Sequence, residues 1–194
     1  YKRQAEKIKQ FETTGSHQYI FAFEESYGYL CGDYARDKDA VTASMLIAEM
    51  AAYYRTQGKT LYDAMEEMYE KYGYYCEQTI SITMPGVSGL QRMKELMAEL
   101  REKPLTKVGA DPIEYTRDYM PGTRTCMADG KVEQMELKGQ NVMYYELAGG
   151  TTFIIRPSGT EPKVKVYIMA KGDSKADAAA KVEALVAAAK EIVK

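Results

Sequence analysis

Eight consecutive residues near the C-terminus, Arg-Pro-Ser-Gly-Thr-Glu-Pro-Lys at 156–163, carry the groups of an oxyanion-binding loop. Arg156 and Lys163 bracket it with positive charge, while Ser158 and Thr160 offer hydroxyls. Gly159 can adopt a positive φ, which turns successive N–H groups inward as an anion-holding nest. The guanidinium of Arg156 is a planar fork that fits two phosphate oxygens. The same residues also suit a plain hairpin loop, with Ser and Thr bonded to their own backbone and Arg156 in a surface ion pair. A second stretch joins Glu24, Glu25 and Ser26 to Tyr27 and Gly28. In an extended loop Glu24 and Ser26 point the same way. A carboxylate and a hydroxyl there could accept from and donate to vicinal sugar hydroxyls, and paired acids could move protons. The plain alternative is a solvated acidic turn with Tyr27 and Tyr29 packed beneath it. Lys38 reads as a residue in the first turn of a helix, where the helix dipole disfavours it. It is either an ordinary surface lysine or a group that faces the acidic loop for proton transfer or phosphate contact.

The elements that must hold these groups can be read from periodicity. Residues 2–11 form a short amphipathic helix, with Ile8 and Phe11 on one side, stopped at Thr13, Thr14 and Gly15. The apolar run at 18–23 suits a buried strand of an α/β sheet, so the acidic loop leaves its C-terminal end, where such sheets place ligand groups. A helix is expected from 37 or 38 to 57, with Met45, Leu46, Glu49, Met50 and Tyr53 in the rhythm of a helix packed on a sheet. Thr60 and Asp63 make a capping box for a helix over 61–72, closed by Gly73. Residues 74–83 read as a strand and 90–101 as a helix. Beyond Pro104 the segments are strand-like: 107–118, a weak 134–138, 141–147, then 151–155 and 164–169 on either side of the loop. Ser174 and Asp177 cap a final helix over 174–193, whose stripe of Val182, Leu185, Val186, Ala189 and Val193 should lie on the small sheet. The expected fold class is α/β plus α+β. A partial α/β mixed-sheet domain spans 1–103, and a small antiparallel-sheet-plus-helix domain spans 104–194.

Composition excludes several classes of function. The chain of 194 residues is 45% hydrophobic and 28% charged, with a formal net charge of -2 and no block of Lys or Arg, so no nucleic-acid partner is expected. No apolar run is long enough to span a bilayer, and no secretory leader is visible, so no membrane partner is expected and the cytoplasm is the expected location. Cys31, Cys76 and Cys126 are widely spaced and odd in number, which fits a reducing compartment rather than a disulfide framework. His17 is the only histidine, which removes His-based triads and His-rich metal sites. Tyr1 is not an initiator methionine and residues 1–10 read as the tail of a helix, so the chain is expected to be a piece of something longer.

The string RPSGTEPKVKVY resembles the phosphate-binding loop of the last domain of the α-D-phosphohexomutases, the phosphoglucomutase and phosphomannomutase family. FEESYGY at 23–29 followed by RDKDA at 36–40 is similar to the sugar-binding loop and following helix of that family's third domain. The resemblance covers nearly the whole chain, as the later part of domain three plus all of domain four. It implies that Glu24 and Ser26 bind sugar hydroxyls. It implies that Lys38 is an active-site candidate general acid/base, and that Arg156, Ser158, Gly159, Thr160 and Lys163 hold the substrate phosphate. Many members have Gly where this chain has Phe23, and Gly-His where it has Tyr27 and Gly28. The pattern is closer to the phosphoglucomutase/phosphopentomutase-like branch and leaves the sugar open. The family's phosphorylated serine and its Asp-x-Asp-x-Asp metal loop have no counterpart here; at Asp37, Lys38 and Asp39 the middle position is basic. The resemblance therefore implies the C-terminal portion of an enzyme that interconverts hexose 1-phosphate and 6-phosphate. That enzyme would use Mg²⁺ and a hexose bisphosphate intermediate, with N-terminal domains of the same polypeptide as partners and a phosphosugar as substrate. This portion is expected to be inactive alone. A free-standing phosphosugar-binding module is the alternative, and a scaffold in which Arg156 and Glu24 are only structural is a third.

Overall fold

The computed structural model describes residues 2–24, 27–159 and 161–194. Its chain divides into two compact units, 1–68 and 69–194. The first holds helix α1 (Lys2–Thr14), strands β1 (Phe21–Phe23) and β2 (Tyr29–Cys31), helix α2 (Ala40–Thr56) and the start of α3 (Leu61–Tyr72). β1 and β2 pair antiparallel as a small hairpin, with Ala22 opposite Leu30. The expectation of a buried strand over 18–23 is corrected here. Phe21 and Phe23 are 48% and 69% exposed, because among the described residues of this unit the hairpin has no second sheet neighbour. The apolar stripe of α2 is likewise open, with Met45 and Tyr53 exposed and no residue of that helix buried. Ile8 and Leu30 are the buried apolar side chains of this unit among the described residues.

The second unit is built on a continuous antiparallel sheet in the order β3-β10-β9-β8-β5-β6-β7, with β4 paired to β5. The strands are β3 (Tyr74–Thr83), β4 (Lys107–Val108), β5 (Asp111–Asp118), β6 (Thr123–Cys126), β7 (Val132–Gln134), β8 (Met143–Leu147), β9 (Thr151–Pro157) and β10 (Lys163–Gly172). The single strand expected over 107–118 is a two-strand hairpin, broken at Gly109, whose φ of 59 lies in the left-handed region. Pro104, expected as a domain boundary from the change in composition, falls inside this unit. Strand β3 lies along β10 from Tyr74 opposite Gly172 to Thr83 opposite Lys163, and so belongs to the same sheet.

Period-two alternation puts one face of this sheet in the core. Tyr145, Phe153, Ile155, Val164, Val166 and Ile168 are all buried. Against them lie Leu96, Met97 and Leu100 of helix α4 (Gly86–Glu102) and Val182, Leu185 and Ala189 of helix α5 (Lys175–Ile192). The predicted Ser174 cap is present, its hydroxyl accepting from the Asp177 N–H at 3.1 Å. Burying these large side chains supplies on the order of 25 cal/mol per Å² of apolar surface, the dominant favourable term for this unit.

Candidate functional site

The acidic loop leaves β1 and returns to β2. The Glu24 N–H donates to the Gly28 carbonyl at 2.7 Å, closing the turn, and the Asp39 N–H donates to the Tyr29 carbonyl at 2.8 Å, bringing the residues before α2 back to the hairpin. Asp39 is the N-cap of α2, accepting from the Val41 N–H at 2.9 Å and from the Thr42 hydroxyl at 2.6 Å. Hydrogen bonds from Thr42, then Tyr34 and Val41, hold its carboxyl down at about 2. The helix therefore begins at Ala40, and Lys38 stands ahead of the cap rather than in the first turn as expected, so the dipole penalty does not apply to it.

Lys38 Nζ lies 2.9 Å from Asp37 Oδ1 and 3.7 Å from Glu24 Oε1. The hydrogen bond it donates to Asp37 is the main reason its ammonium is held above the ordinary lysine value, with Glu24 adding to it and desolvation opposing it. This pairing of Lys38 with the acidic loop is the convergence expected from the sequence. The glycine that permits it went unnoticed there. A Cβ on Gly28 would sit 2.3 Å from Lys38 Cδ and 2.9 Å from Glu24 Oε2, so any larger residue must displace the side chains that meet over that backbone. No local signal marks it, because its tightest contact is with Lys38, ten positions on. Tyr27 does not pack beneath the loop; it is 90% exposed, with a left-handed φ of 61 that is uncommon for a non-glycine residue. Ser26 lies outside the described residues. Lys38 also borders an open, mostly apolar groove of about 1130 Å³, lined among others by Phe21, Tyr29, Met50 and Tyr53.

The second loop caps the β9–β10 hairpin. The Ser158 N–H donates to the Lys163 carbonyl at 2.9 Å, the Lys163 N–H donates to the Glu161 carbonyl at 2.8 Å, and the Glu161 N–H donates to Ser158 Oγ at 3.2 Å. Just past the end of β3, the Met84 N–H donates to the Pro162 carbonyl at 2.8 Å, tying the loop to the neighbouring segment. Ser158 thus shapes its own loop, as the plain-hairpin alternative foresaw. Gly159 does not take a positive φ, which corrects the nest expected there; a Cβ would meet no atom within 4 Å, so the position opens onto free space. Lys163 Nζ pairs with Glu161 Oε2 at 2.5 Å, and this bond is the main reason the Glu161 carboxyl titrates below its ordinary range. Arg156 is exposed, and among the described residues no hydrogen bond or ion pair engages its side chain. Thr160 lies outside the described residues.

Both loops lie within stretches that match a known protein family. A family model described as phosphoglucomutase/phosphomannomutase, alpha/beta/alpha domain III, matches residues 5–72, and one described as the C-terminal domain of the same family matches residues 124–189. The chain belongs to the phosphoglucomutase/phosphomannomutase family. Among curated relatives it is 35% identical over 175 residues to a phosphoglucomutase of Staphylococcus haemolyticus, an alignment that takes in 90% of this chain and 31% of the relative. It is 34% identical over 184 residues to a phosphoglucomutase of Staphylococcus aureus, covering 94% of this chain and 32% of the relative. The chain therefore spans about a third of the length of these relatives. The fold is also that of the exocytosis-sensitive phosphoprotein parafusin, a phosphoglucomutase of Paramecium in its open form. The TM-score is 0.60 at 14% identity, over 96% of this chain and 32% of that one.

The family match makes Mg²⁺ a natural question for these residues. Among those described, no group of three His, Cys, Asp or Glu side chains could hold a metal ion. Asp37 and Asp39, the nearest to such a pair, are bonded to Lys38 and to Thr42 with Val41 respectively. The carboxylates described do not fit a Mg²⁺ site, which needs several oxygen ligands in near-octahedral array. Among the described residues no helix is long and apolar enough to cross a membrane.

Proposed function

We propose that this chain supplies the sugar-binding and phosphate-binding loops of a phosphohexomutase that interconverts hexose 1-phosphate and hexose 6-phosphate. Glu24 and Ser26 contact sugar hydroxyls. Arg156, Ser158, Gly159, Thr160 and Lys163 hold the phosphate that is not reacting. Lys38, whose ammonium Asp37 holds above the ordinary lysine value, is a proton donor or a positive charge near the substrate rather than a resting general base. The observation that carries the reading is Arg156. It is a guanidinium at the open mouth of a Gly-containing hairpin loop, it has no partner among the described residues, and it lies within the string that resembles the family's phosphate loop.

In this division of labour the phosphorylated serine, the Mg²⁺ site and the hexose bisphosphate turnover belong to other domains of the polypeptide. Phosphoryl transfer is mostly positioning and charge stabilisation, so neither part turns over substrate without the other. Calorimetric titration of the chain with glucose 6-phosphate tests the binding half of the proposal. Arg156→Ala should weaken that binding by about 1.5–3 kcal/mol, the worth of a hydrogen bond to a charged group. Unchanged affinity in the variant would make Arg156 merely structural. Multiple turnover of glucose 1-phosphate by the 194-residue chain would overturn the division of labour.

A further inference from the structure

We propose that Tyr34 is the positioning residue for Lys38, its hydroxyl clamping the segment before α2 so that the lysine side chain lies over Gly28 beside Glu24. This rests on the reading of Lys38 as a proton donor or positive charge near the substrate, and says what puts it there. Residues 32–38 form a loop that leaves β2 at Gly32, whose φ of 75 turns the chain away from the hairpin. The loop closes where the Asp39 N–H donates to the Tyr29 carbonyl, one residue after Lys38. The ion pairs of Lys38 with Asp37 and Glu24 do not by themselves place it. Asp37 is its neighbour along the chain and moves with it, and Glu24, at 3.7 Å, is a loose and partly exposed partner. The residues on either side of the Asp37–Lys38 pair are anchored instead. Arg36 Nη2 donates to both Glu12 oxygens, at 2.6 Å and 2.8 Å, tying the loop to α1. Asp39 anchors the other side.

Asp39 carries more bonds than a helix cap needs. A capping carboxylate accepts from a backbone N–H two or three residues on, and here Val41 supplies that bond at Oδ1. The second oxygen, Oδ2, accepts from the Thr42 hydroxyl at 2.6 Å and also from the Tyr34 hydroxyl. The two hydroxyls themselves lie 2.5 Å apart, so carboxylate, threonine and phenol form one closed cluster. Tyr34 reaches it from within the loop, five residues before the cap. Packing does not explain a tyrosine there, because the residue is 65% exposed. The hydroxyl is what the position uses, in a bond to an ionised acceptor, which is among the stronger kinds. With Arg36 held by α1 and Asp39 held by Tyr34 and the helix, the two residues between them have little freedom, and one of them is Lys38.

The test is NMR of the 194-residue chain and of its Tyr34→Phe variant, which lacks only the hydroxyl. A Cβ at Gly28 would stand 2.3 Å from Lys38 Cδ, so the parent should show an Overhauser contact between the Gly28 α protons and the Lys38 δ protons. Tyr34→Phe should lose that contact while the amide shifts of α2 from Leu46 onward stay as in the parent. Thr42→Ser, which keeps a hydroxyl on Asp39, should retain it. Glucose 6-phosphate should move the Lys38 Cε resonance in the parent, inorganic phosphate should not, and Tyr34→Phe should lose the response. If the parent lacks the Gly28–Lys38 contact, or Tyr34→Phe keeps it, Tyr34 does not position the lysine and the inference fails. A response to glucose 6-phosphate as large in Tyr34→Phe as in the parent would overturn it too. If Tyr34→Phe loses the contact but the parent's Lys38 gives no response to glucose 6-phosphate, the clamp is real. In that case it is the reading of Lys38 as a group near the substrate that fails, and Tyr34's part in function falls with it.

Discussion

Glu146 neutralises the cross-strand pair Arg117 and Arg124 on one face of the main sheet. Its two oxygens accept from Arg117 and from both Nε and Nη2 of Arg124, and Arg124 in turn lies 3.6 Å over the Tyr115 ring. Bonds from Arg124, then Arg117, against the opposing effect of burial, hold the Glu146 carboxyl down at about 2. A carboxylate depressed in the folded state contributes stability that is complete above its unfolded value and is lost as pH falls through about 2. Glu146→Gln should therefore destabilise the second unit at neutral pH by about 1.5–3 kcal/mol, with the variant and the parent converging in strong acid. Urea titrations at pH 7 and pH 2.5 check this, and an equal gap at both would show that the carboxylate charge is not what matters. At Lys38 the sign is opposite. Asp37 raises the lysine, so its contribution is complete below the unfolded lysine value and is lost as pH rises through the folded one. Asp37→Asn should bring the Lys38 titration, followed by NMR at its Cε carbon, down toward the ordinary value. No movement would mean that Asp37 is not the controlling neighbour.

Helix α4 shows how an element positions a loop it does not contain. Gly89 in its first turn is buried against the end of β3, where a Cβ would stand 1.8 Å from the Met84 carbonyl oxygen. The N–H of the same Met84 holds the Pro162 carbonyl. Gly89→Ala must push α4 and Met84 apart, so we expect a loss of about 1–3 kcal/mol, as for other overpacked sites. The urea midpoint should fall at unchanged slope, and amide shifts should move in the 156–163 loop. A variant as stable as the parent would show that α4 yields without cost. Local signals of this kind were legible in the sequence where they are carried by neighbours along the chain. Thr60 and Asp63 do form their reciprocal cap, at 2.7 Å and 3.1 Å, and helix α3 runs from Leu61 to Tyr72 as read. The β9–β10 hairpin and its loop were legible for the same reason. Illegible were features set by distant partners. Strand β6, Thr-Arg-Thr-Cys, is short and has no apolar alternation, and it exists because β5 and β7 flank it. Gly28 matters only through Lys38, ten positions on, and nothing local to it announces that contact. The start of α2 was misplaced by two or three residues because Asp37 and Asp39 both look like caps, and the hydrogen bonds from Val41 and Thr42 decide for Asp39.

At the scale of the whole molecule the two compact units differ in how much they bury. The second packs β8, β9 and β10 against α4 and α5 through a continuous apolar core. The first, among its described residues, encloses the apolar side chains of Ile8 and Leu30 only. It leaves Met45, Met50 and Tyr53 of α2 and Phe21 and Phe23 of the hairpin exposed. A helix of 17 residues with no buried side chain takes its stability from backbone hydrogen bonds and capping, and a helix of that length is only marginal in water. Local opening of α2 should therefore cost far less than opening of the central strands. Hydrogen exchange followed by mass spectrometry should find the amides of α2 and the β1–β2 hairpin exchanging at least roughly 100-fold faster than those of β8–β10, since native exchange spans the range from near zero to the global unfolding energy. Because the proposed sugar loop hangs on the β1–β2 hairpin and the proposed phosphate loop on β9–β10, the same experiment bears on the proposed function. The loop proposed for phosphate is mounted on strands of the buried core, so its affinity for a bare anion should survive in this chain. The loop proposed for the sugar rests on the unit that buries little, so glucose 6-phosphate should gain little over inorganic phosphate. Equal protection in the two units, or a strong preference for the sugar phosphate, would mean that the first unit is held far more firmly than its burial implies.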